Sequence, residues 1–293
     1  MSNPEDFTLF SRREALRRSA LLIAATSSFD LLAKPAPRFQ LGACDWSVGK
    51  SLNPEAFDRA KEIGLQGIQV SYNTGKNHVG LSDAATLQSI KDASKRTGVK
   101  VSSLAIGELN RYPYKSDPQT EAWVWNSVDA AKALGVKVIL LAFFSDGDLR
   151  NDEAGKKVVI ERLKKVAPHA EKKGITLGIE SYLTAQEHLD IIHAVGSKAV
   201  KVYYDFRNAA DAGNDVFKEV PMLGRDLICE LHMKENGQLL GEGTMDWPKI
   251  ANMVKDLGYK GWMQIEGATP KGAEIVSSYQ QNRKYLEGLF TFS

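Results

Sequence analysis

Four ionisable residues stand at the ends of apolar runs: Glu180 in LGIES, Asp205 in VYYD, His232 in ICELHMK and Glu266 in WMQIE. A charged group that closes a buried strand is either paired or faces a site, because burying it alone is costly. Three carboxylates and one imidazole form a hard, oxygen-rich donor set for one divalent metal ion, favouring Mn²⁺ or Mg²⁺ and admitting Co²⁺ or Zn²⁺. A structural zinc site is disfavoured, since no paired Cys or His spacing exists. Taken singly, each residue has a plainer reading: Asp205 is placed to cap the helix begun by FRNAAD, Glu266 to cap the segment after it, and Glu180 and His232 could be satisfied core groups. Their spacing favours a common site, for they recur roughly 25 to 35 residues apart, about one strand and one helix each.

That spacing belongs to a repeat. A helical stretch ends at a glycine and a β-rich run follows, in IGLQGIQVSY, TGVKVSSLAI, LGVKVILLAFF, KGITLGIES, VGSKAVKVYYD, LGRDLICELHM and LGYKGWMQIEG. Gly64, Gly98, Gly135, Gly174, Gly196, Gly224 and Gly258 each stand where a left-handed helix C-cap is expected. With FQLGACDWS as the opening strand, the repeat predicts an α/β fold, a single (β/α)8 TIM barrel over residues 38–293. An open doubly wound sheet is the alternative, but no glycine-rich phosphate fingerprint follows the first strand.

Barrel chemistry sits at the C-terminal ends of strands. Alternation there turns Glu230, His232 and Lys234 inward and Leu231 and Met233 toward the helices. Lys234 is therefore the preferred substrate contact. Asn208, Glu108, Trp46 and Trp247 are further candidates for substrate contact at the mouth, with Asn110, Tyr72 and Tyr112 nearby. His78 reads as a surface loop residue, and Cys44 and Cys229 as two buried thiols rather than a disulfide.

The composition is that of an ordinary soluble protein: 293 residues, 43% hydrophobic, 25% charged, net charge +2. Nucleic acid is excluded as the main partner by the lack of a sustained basic stretch beyond the N-terminus. Residues 1–33 resemble a twin-arginine signal peptide, with Ser11, Arg12, Arg13 and Leu16 in place and Ala15 where such leaders usually carry Phe. Export to the periplasm or another extracytoplasmic space is the expected localisation. The run from Ala20 to Phe29 is too short, and too rich in Ser and Thr, for stable membrane insertion. A homo-oligomer is left open.

From about Arg38 onward the chain resembles the xylose-isomerase-like barrel superfamily of sugar isomerases and epimerases. The motifs that carry this are GIES, YDFRN, LHMKEN, LGEGTMDWPKI and LGYKGWMQIE. The resemblance implies one divalent ion held by Glu180, Asp205, His232 and Glu266, with Glu180 and Glu266 moving the proton of a substrate carbon beside a carbonyl. Such a proton leaves only if the resulting enediolate is stabilised, which a divalent ion achieves. Carboxylates on opposite faces then act as base and acid. Reprotonation makes an epimerase or isomerase, whereas expulsion of the group on the next carbon makes a 3-keto-glycoside lyase from the same site. A non-catalytic sugar-binding barrel is the third reading. Three departures stand out: Asn208 replaces a common histidine, Gln238 a substrate-binding arginine and Gln69 an acidic residue. With no histidine ending the second or third strand, the first argues against a three-zinc endonuclease. The second argues against a plain ketohexose epimerase.

Overall fold

Eight parallel strands close into one barrel in sequence order, as the repeat predicts. They are β1 (Gln40–Cys44), β2 (Gly67–Ser71), β3 (Lys100–Ile106), β4 (Val138–Phe143), β5 (Thr176–Ser181), β6 (Val200–Asp205), β7 (Ile228–Lys234) and β8 (Trp262–Glu266). The outer layer holds α1 (Glu55–Ile63), α2 (Ala84–Thr97), α3 (Gln119–Leu134), α4 (Glu153–Lys173), α5 (Ala185–Val195), α6 (Phe206–Asp211), α7 (Val216–Leu223), α8 (Trp247–Asp256) and α9 (Ile275–Leu289). This computed structural model describes residues 39–75 and 79–292; the expected leader and His78 lie outside them. Among the described residues no helix is long and apolar enough to cross a membrane.

Local chemistry sets the ends of these elements. A reciprocal capping box opens α5, where Glu187 Oε2 accepts from the Thr184 backbone N–H at 2.9 Å and Thr184 Oγ1 accepts from the Glu187 N–H at 3.3 Å. Gly64 closes α1 in the left-handed region at φ 85°, a conformation costly for residues bearing a Cβ. Gly224 departs from the expected pattern: φ is 72° but ψ is 165°, so it turns the chain out of α7 without a left-handed cap.

Two cores result from strand alternation. Leu231, Met233 and Ile265 pack against the helices, each contributing roughly 1.5–3 kcal/mol by burial. Ala105, Leu140, Ala142 and Tyr203 fill the barrel interior instead. Cys44 is buried and Cys229 partly buried, both as free thiols. Burial pushes the Cys44 thiol up to about 12, so it remains a protonated donor.

Two register shifts bring polar residues together inside the barrel. Between β6 and β7, Val202 pairs with Ile228 but Tyr203 pairs with Glu230, leaving Cys229 as the extra residue. Asp205 consequently lies beside His232; an unshifted ladder would put outward-facing Leu231 there. Between β2 and β3 a second shift pairs Gln69 with Ser103.

Asp45, just after β1, joins the mouth of β1 to that of β2. Its Oδ2 accepts from the Leu52 and Ser71 backbone N–H groups, both at 2.8 Å, and its Oδ1 from Ser71 Oγ at 2.6 Å. Burial outweighs these bonds and raises the carboxyl to about 6. The folded value lies above the unfolded one, so its contribution is complete below about pH 4 and lost as pH rises through about 6. In Asp45→Asn the amide oxygen takes the two N–H donors and its NH₂ donates to Ser71. Relative to that variant, the wild type is expected to lose on the order of 2–3 kcal/mol of stability between pH 4 and 7, measured by urea unfolding.

Candidate functional site

Glu180, Asp205, His232 and Glu266 meet at the C-terminal ends of β5 to β8, and one donor atom from each lies within 4.8 Å of all the others. His232 Nδ1 is at the centre, 2.8 Å from Glu180 Oε1, 3.4 Å from Glu266 Oε2 and 3.7 Å from Asp205 Oδ2. Recurrence at about one strand and one helix apiece suggests a common depth along the strands, but the four do not share one. His232 pairs with Gln264 and Lys234 pairs with Glu266, so Glu266 sits two residues further along. Strand tilt in a closed barrel still brings its carboxylate back to the group.

Asp205 caps a helix, as its sequence position suggests, and also faces the cluster. Its Oδ1 accepts from the Asn208 backbone N–H at 2.9 Å and caps α6, while its Oδ2 is buried with no hydrogen-bond partner. Burial raises Asp205 to about 7 against the pull of Lys234. For Glu266, burial is outweighed by His232 and Lys234, which bring it down to about 2. Its Oε2 accepts from Lys234 Nζ at 2.9 Å and its Oε1 from Trp46 Nε1 at 2.8 Å. Burial opposes charge on His232, yet the carboxylates of Glu180 and Glu266 hold the imidazole well above its ordinary value.

These residues fit a divalent ion. With a neutral imidazole, three carboxylates against the Lys234 ammonium leave two negative charges in a buried space. The orphaned Asp205 oxygen and His232 Nδ1 lie 3.7 Å apart and face the same point.

A cavity of about 570 Å³ opens above the cluster, within the range of small-molecule sites. Of the expected contacts, Lys234, Asn208, Trp46, Glu108 and Asn110 line it. Trp46 also holds Glu266 and sets its ring edge-on to His232, with centroids 6.3 Å apart. Phe144 and Tyr182, packed edge to face at 4.7 Å, form an apolar wall that sequence reasoning missed. Their signal was available: each is an aromatic directly after the last residue of a strand, in LAFF and IESY. The wall also holds Asn73, buried with both amide atoms unpartnered.

The profile of the xylose isomerase-like TIM barrel family matches residues 57–289. The chain belongs to that family. A Haemophilus influenzae relative, itself only provisionally assigned as an L-ribulose-5-phosphate 3-epimerase, is 22% identical over 276 residues, 85% of this chain and 96% of the relative. D-psicose 3-epimerase of Enterocloster bolteae is 25% identical over 154 residues, 49% of this chain and 51% of that protein. In fold, this xylose isomerase-like barrel is similar to 3-keto-D-glucoside 4-epimerase of E. coli, with TM-score 0.70 and 16% identity over 86% of this chain and 100% of the other. D-psicose 3-epimerase of Clostridium cellulolyticum gives TM-score 0.71 and 17% identity, again over 86% and 100%.

Three aromatic candidates of this xylose isomerase-like barrel are corrected by its geometry. Trp247 does not reach the mouth: it is fully buried at the start of α8, and its indole N–H donates to Glu235 Oε1 at 3.1 Å. Glu235 also accepts from the Met245 backbone N–H and from Arg207, so Trp247 helps to fix the chain between β7 and α8. Tyr72 and Tyr112 stand away from the cavity as well, Tyr72 bonded to Ser82 and Tyr112 packed edge-on against Trp123.

Proposed function

We propose that this protein is a divalent-metal-dependent sugar isomerase or epimerase that removes a carbon-bound proton beside a carbonyl and returns one to the enediolate. The observation that carries this is the convergence of Glu180, Asp205, His232 and Glu266 within 4.8 Å at the floor of a cavity of about 570 Å³. Relatives and fold neighbours named as sugar epimerases support the substrate class.

Each residue has a role in this reading. The four cluster residues would hold the ion, which when bound supplies positive charge against the negative charge that builds on substrate oxygens during deprotonation. Glu180 and Glu266 come from β5 and β8, with β6 and β7 between them, and so flank the substrate from two sides. Glu266, fixed by Trp46 and Lys234 and strongly acidic, is held as a carboxylate. Glu180 lines the cavity and accepts from His232 Nδ1 in the metal-free protein; with Nδ1 turned to an ion it would lose that donor, which makes it the carboxylate freer to take a proton from carbon. Phe144 and Tyr182 offer a surface for the C–H face of a sugar and exclude water from the reacting carbon.

The wall favours an uncharged sugar over its phosphate ester. Among its described residues Lys234 is the one cation, already bound to Glu266 at 2.9 Å and 3.7 Å from Asp205, while Glu108, Glu180 and Glu266 supply negative charge. With a divalent ion bound, the cluster and Lys234 would sum to no net charge and leave Glu108 as the uncompensated charge of the wall, so a phosphate would meet a carboxylate and no free ammonium or guanidinium. A free ketopentose or ketohexose is expected to bind at least about tenfold tighter than its phosphate ester, measured by isothermal titration.

The test of function is proton NMR of metal-loaded protein in D₂O with free sugars and 3-keto-glycosides, beside a Glu180→Gln control. Deuterium entering a carbon that keeps its substituents supports isomerisation or epimerisation. Loss of the aglycone with a new alkene signal would replace that reading with the lyase. No change in any substrate, identical to the control, would leave a sugar-binding barrel.

A further inference from the structure

The ring nitrogen of His232 that faces away from the cluster meets Gln69. His232 Nε2 lies 3.1 Å from Gln69 Oε1 and 3.3 Å from Cys44 Sγ. An amide can be turned either way, so the orientation of Gln69 decides which imidazole nitrogen bears the proton. The hydrogen bonds beneath it fix that orientation.

Gln69 Nε2 is 3.1 Å from both Ser103 Oγ and Tyr203 Oη. Each of those hydroxyls has a single proton, and each donates it to Glu230 Oε2, at 2.8 and 3.1 Å respectively. Gln264 Nε2 donates to the same oxygen at 3.4 Å. Hydroxyls that have given their proton to a carboxylate can only accept from Gln69, so they must face its NH₂ group. Its amide oxygen is thereby turned to His232 and to the thiol of Cys44, which donates to it at 3.3 Å. An oxygen there accepts and cannot donate, which requires the proton on Nε2. In the neutral imidazole that would bind an ion, Nδ1 is then left to present its lone pair to the point shared by Glu180, Asp205 and Glu266.

We infer that Gln69 is a positioning residue: it fixes the tautomer of His232 so that Nδ1 is the ligand, and is itself oriented by Glu230 through Ser103 and Tyr203. This rests on the reading of the cluster as a metal site. Both register shifts of the barrel serve the relay, since one pairs Gln69 with Ser103 and the other pairs Tyr203 with Glu230. An amide at position 69 gives the imidazole an acceptor without adding another charge to a fully buried space.

The test uses the full chain with two probes. Free Mn²⁺ followed by electron paramagnetic resonance gives the affinity of the wild type and of Gln69→Leu, where the expected loss is about 10- to 100-fold. Long-range proton–nitrogen correlation on the Zn²⁺-loaded wild type locates the His232 proton directly, so the inference stays testable even if the leucine variant does not fold. A proton on Nε2, hydrogen-bonded and slow to exchange, is expected. In folded Gln69→Leu that signal should move upfield and exchange fast, a change that loss of packing alone would not produce. A proton on Nδ1 with the ion at Nε2 overturns the inference, as does equal Mn²⁺ affinity in the variant. If the wild type binds neither ion saturably, the metal-site reading fails, and the tautomer inference with it.

Discussion

Replacing Glu180 by Gln is expected to lower the rate of deuterium exchange at the substrate carbon by roughly 10²–10⁴-fold while the fold remains intact. The amide has the same shape and can still bond His232 Nδ1, at the site where Glu180 Oε1 now lies 2.8 Å away. It cannot take up or release a proton near neutral pH. The substitution also removes one anionic donor from the cluster, so metal affinity should fall too, and the two effects must be separated. Rate measured against metal concentration does this. If saturating metal restores exchange, Glu180 is a ligand and not the proton carrier. If the deficit persists at saturation with the melting temperature unchanged, the missing function is proton transfer. Glu266→Gln should behave differently, because it also removes the ionic partner of Lys234, bound at 2.9 Å, and frees that ammonium toward Asp205. Part of its loss should therefore appear as weakened substrate binding, a rise in KM beside the fall in kcat.

The positions of these glutamates were legible because barrel strands carry their chemistry at one end: an acid closing LGIES or WMQIE has a plainer reading alone, but not when four successive strands end in ionisable groups. The alternation that placed Glu230 and His232 inward followed from the strand period of two residues. Neighbour relations across strands were less accessible. No feature of ICELHMK announces that Cys229 is the extra residue of a bulge, yet that one residue decides whether Asp205 meets His232 or Leu231. Glu230 was expected beside His232 from alternation alone; it connects instead through Ser103, Tyr203 and Gln69, which come from three other strands. Trp247 shows the limit in the opposite direction. An aromatic after a glycine-rich loop resembles a stacking platform, but LHMKE places a second buried acid, Glu235, whose need for donors draws the indole inward. Local sequence reports which residues are available; burial of an unpaired charge dictates which of them must turn toward it.

The same electrostatics make the protein's stability depend on metal in a pH-dependent way. Metal-free protein is expected to gain on the order of 5–10 °C in melting temperature at pH 8 from Mn²⁺ at a hundred times its Kd there, and less at pH 5.5 from the same Mn²⁺ concentration. The direction follows from two groups. Burial raises Asp205 to about 7, so without an ion its contribution is complete below about pH 4 and lost as pH rises through about 7. Despite burial, Glu180 and Glu266 hold His232 well above its ordinary value, so its contribution too is present in acid and lost as the imidazole gives up its proton. Metal-free protein therefore weakens as pH rises, just where deprotonated ligands are free to bind an ion. An ion must displace both protons in acid, so its affinity should rise steeply up to about pH 7 and less steeply above, where Asp205 is already ionised. Calorimetry of chelator-treated and Mn²⁺-loaded protein across this range checks the widening gap. His232→Ala should close most of the gap at every pH, because it removes the central donor and one of the two competing protons. A gap of constant size from pH 5.5 to 8 would mean that the ion binds away from Asp205 and His232, and the assignment of the site would have to move with it.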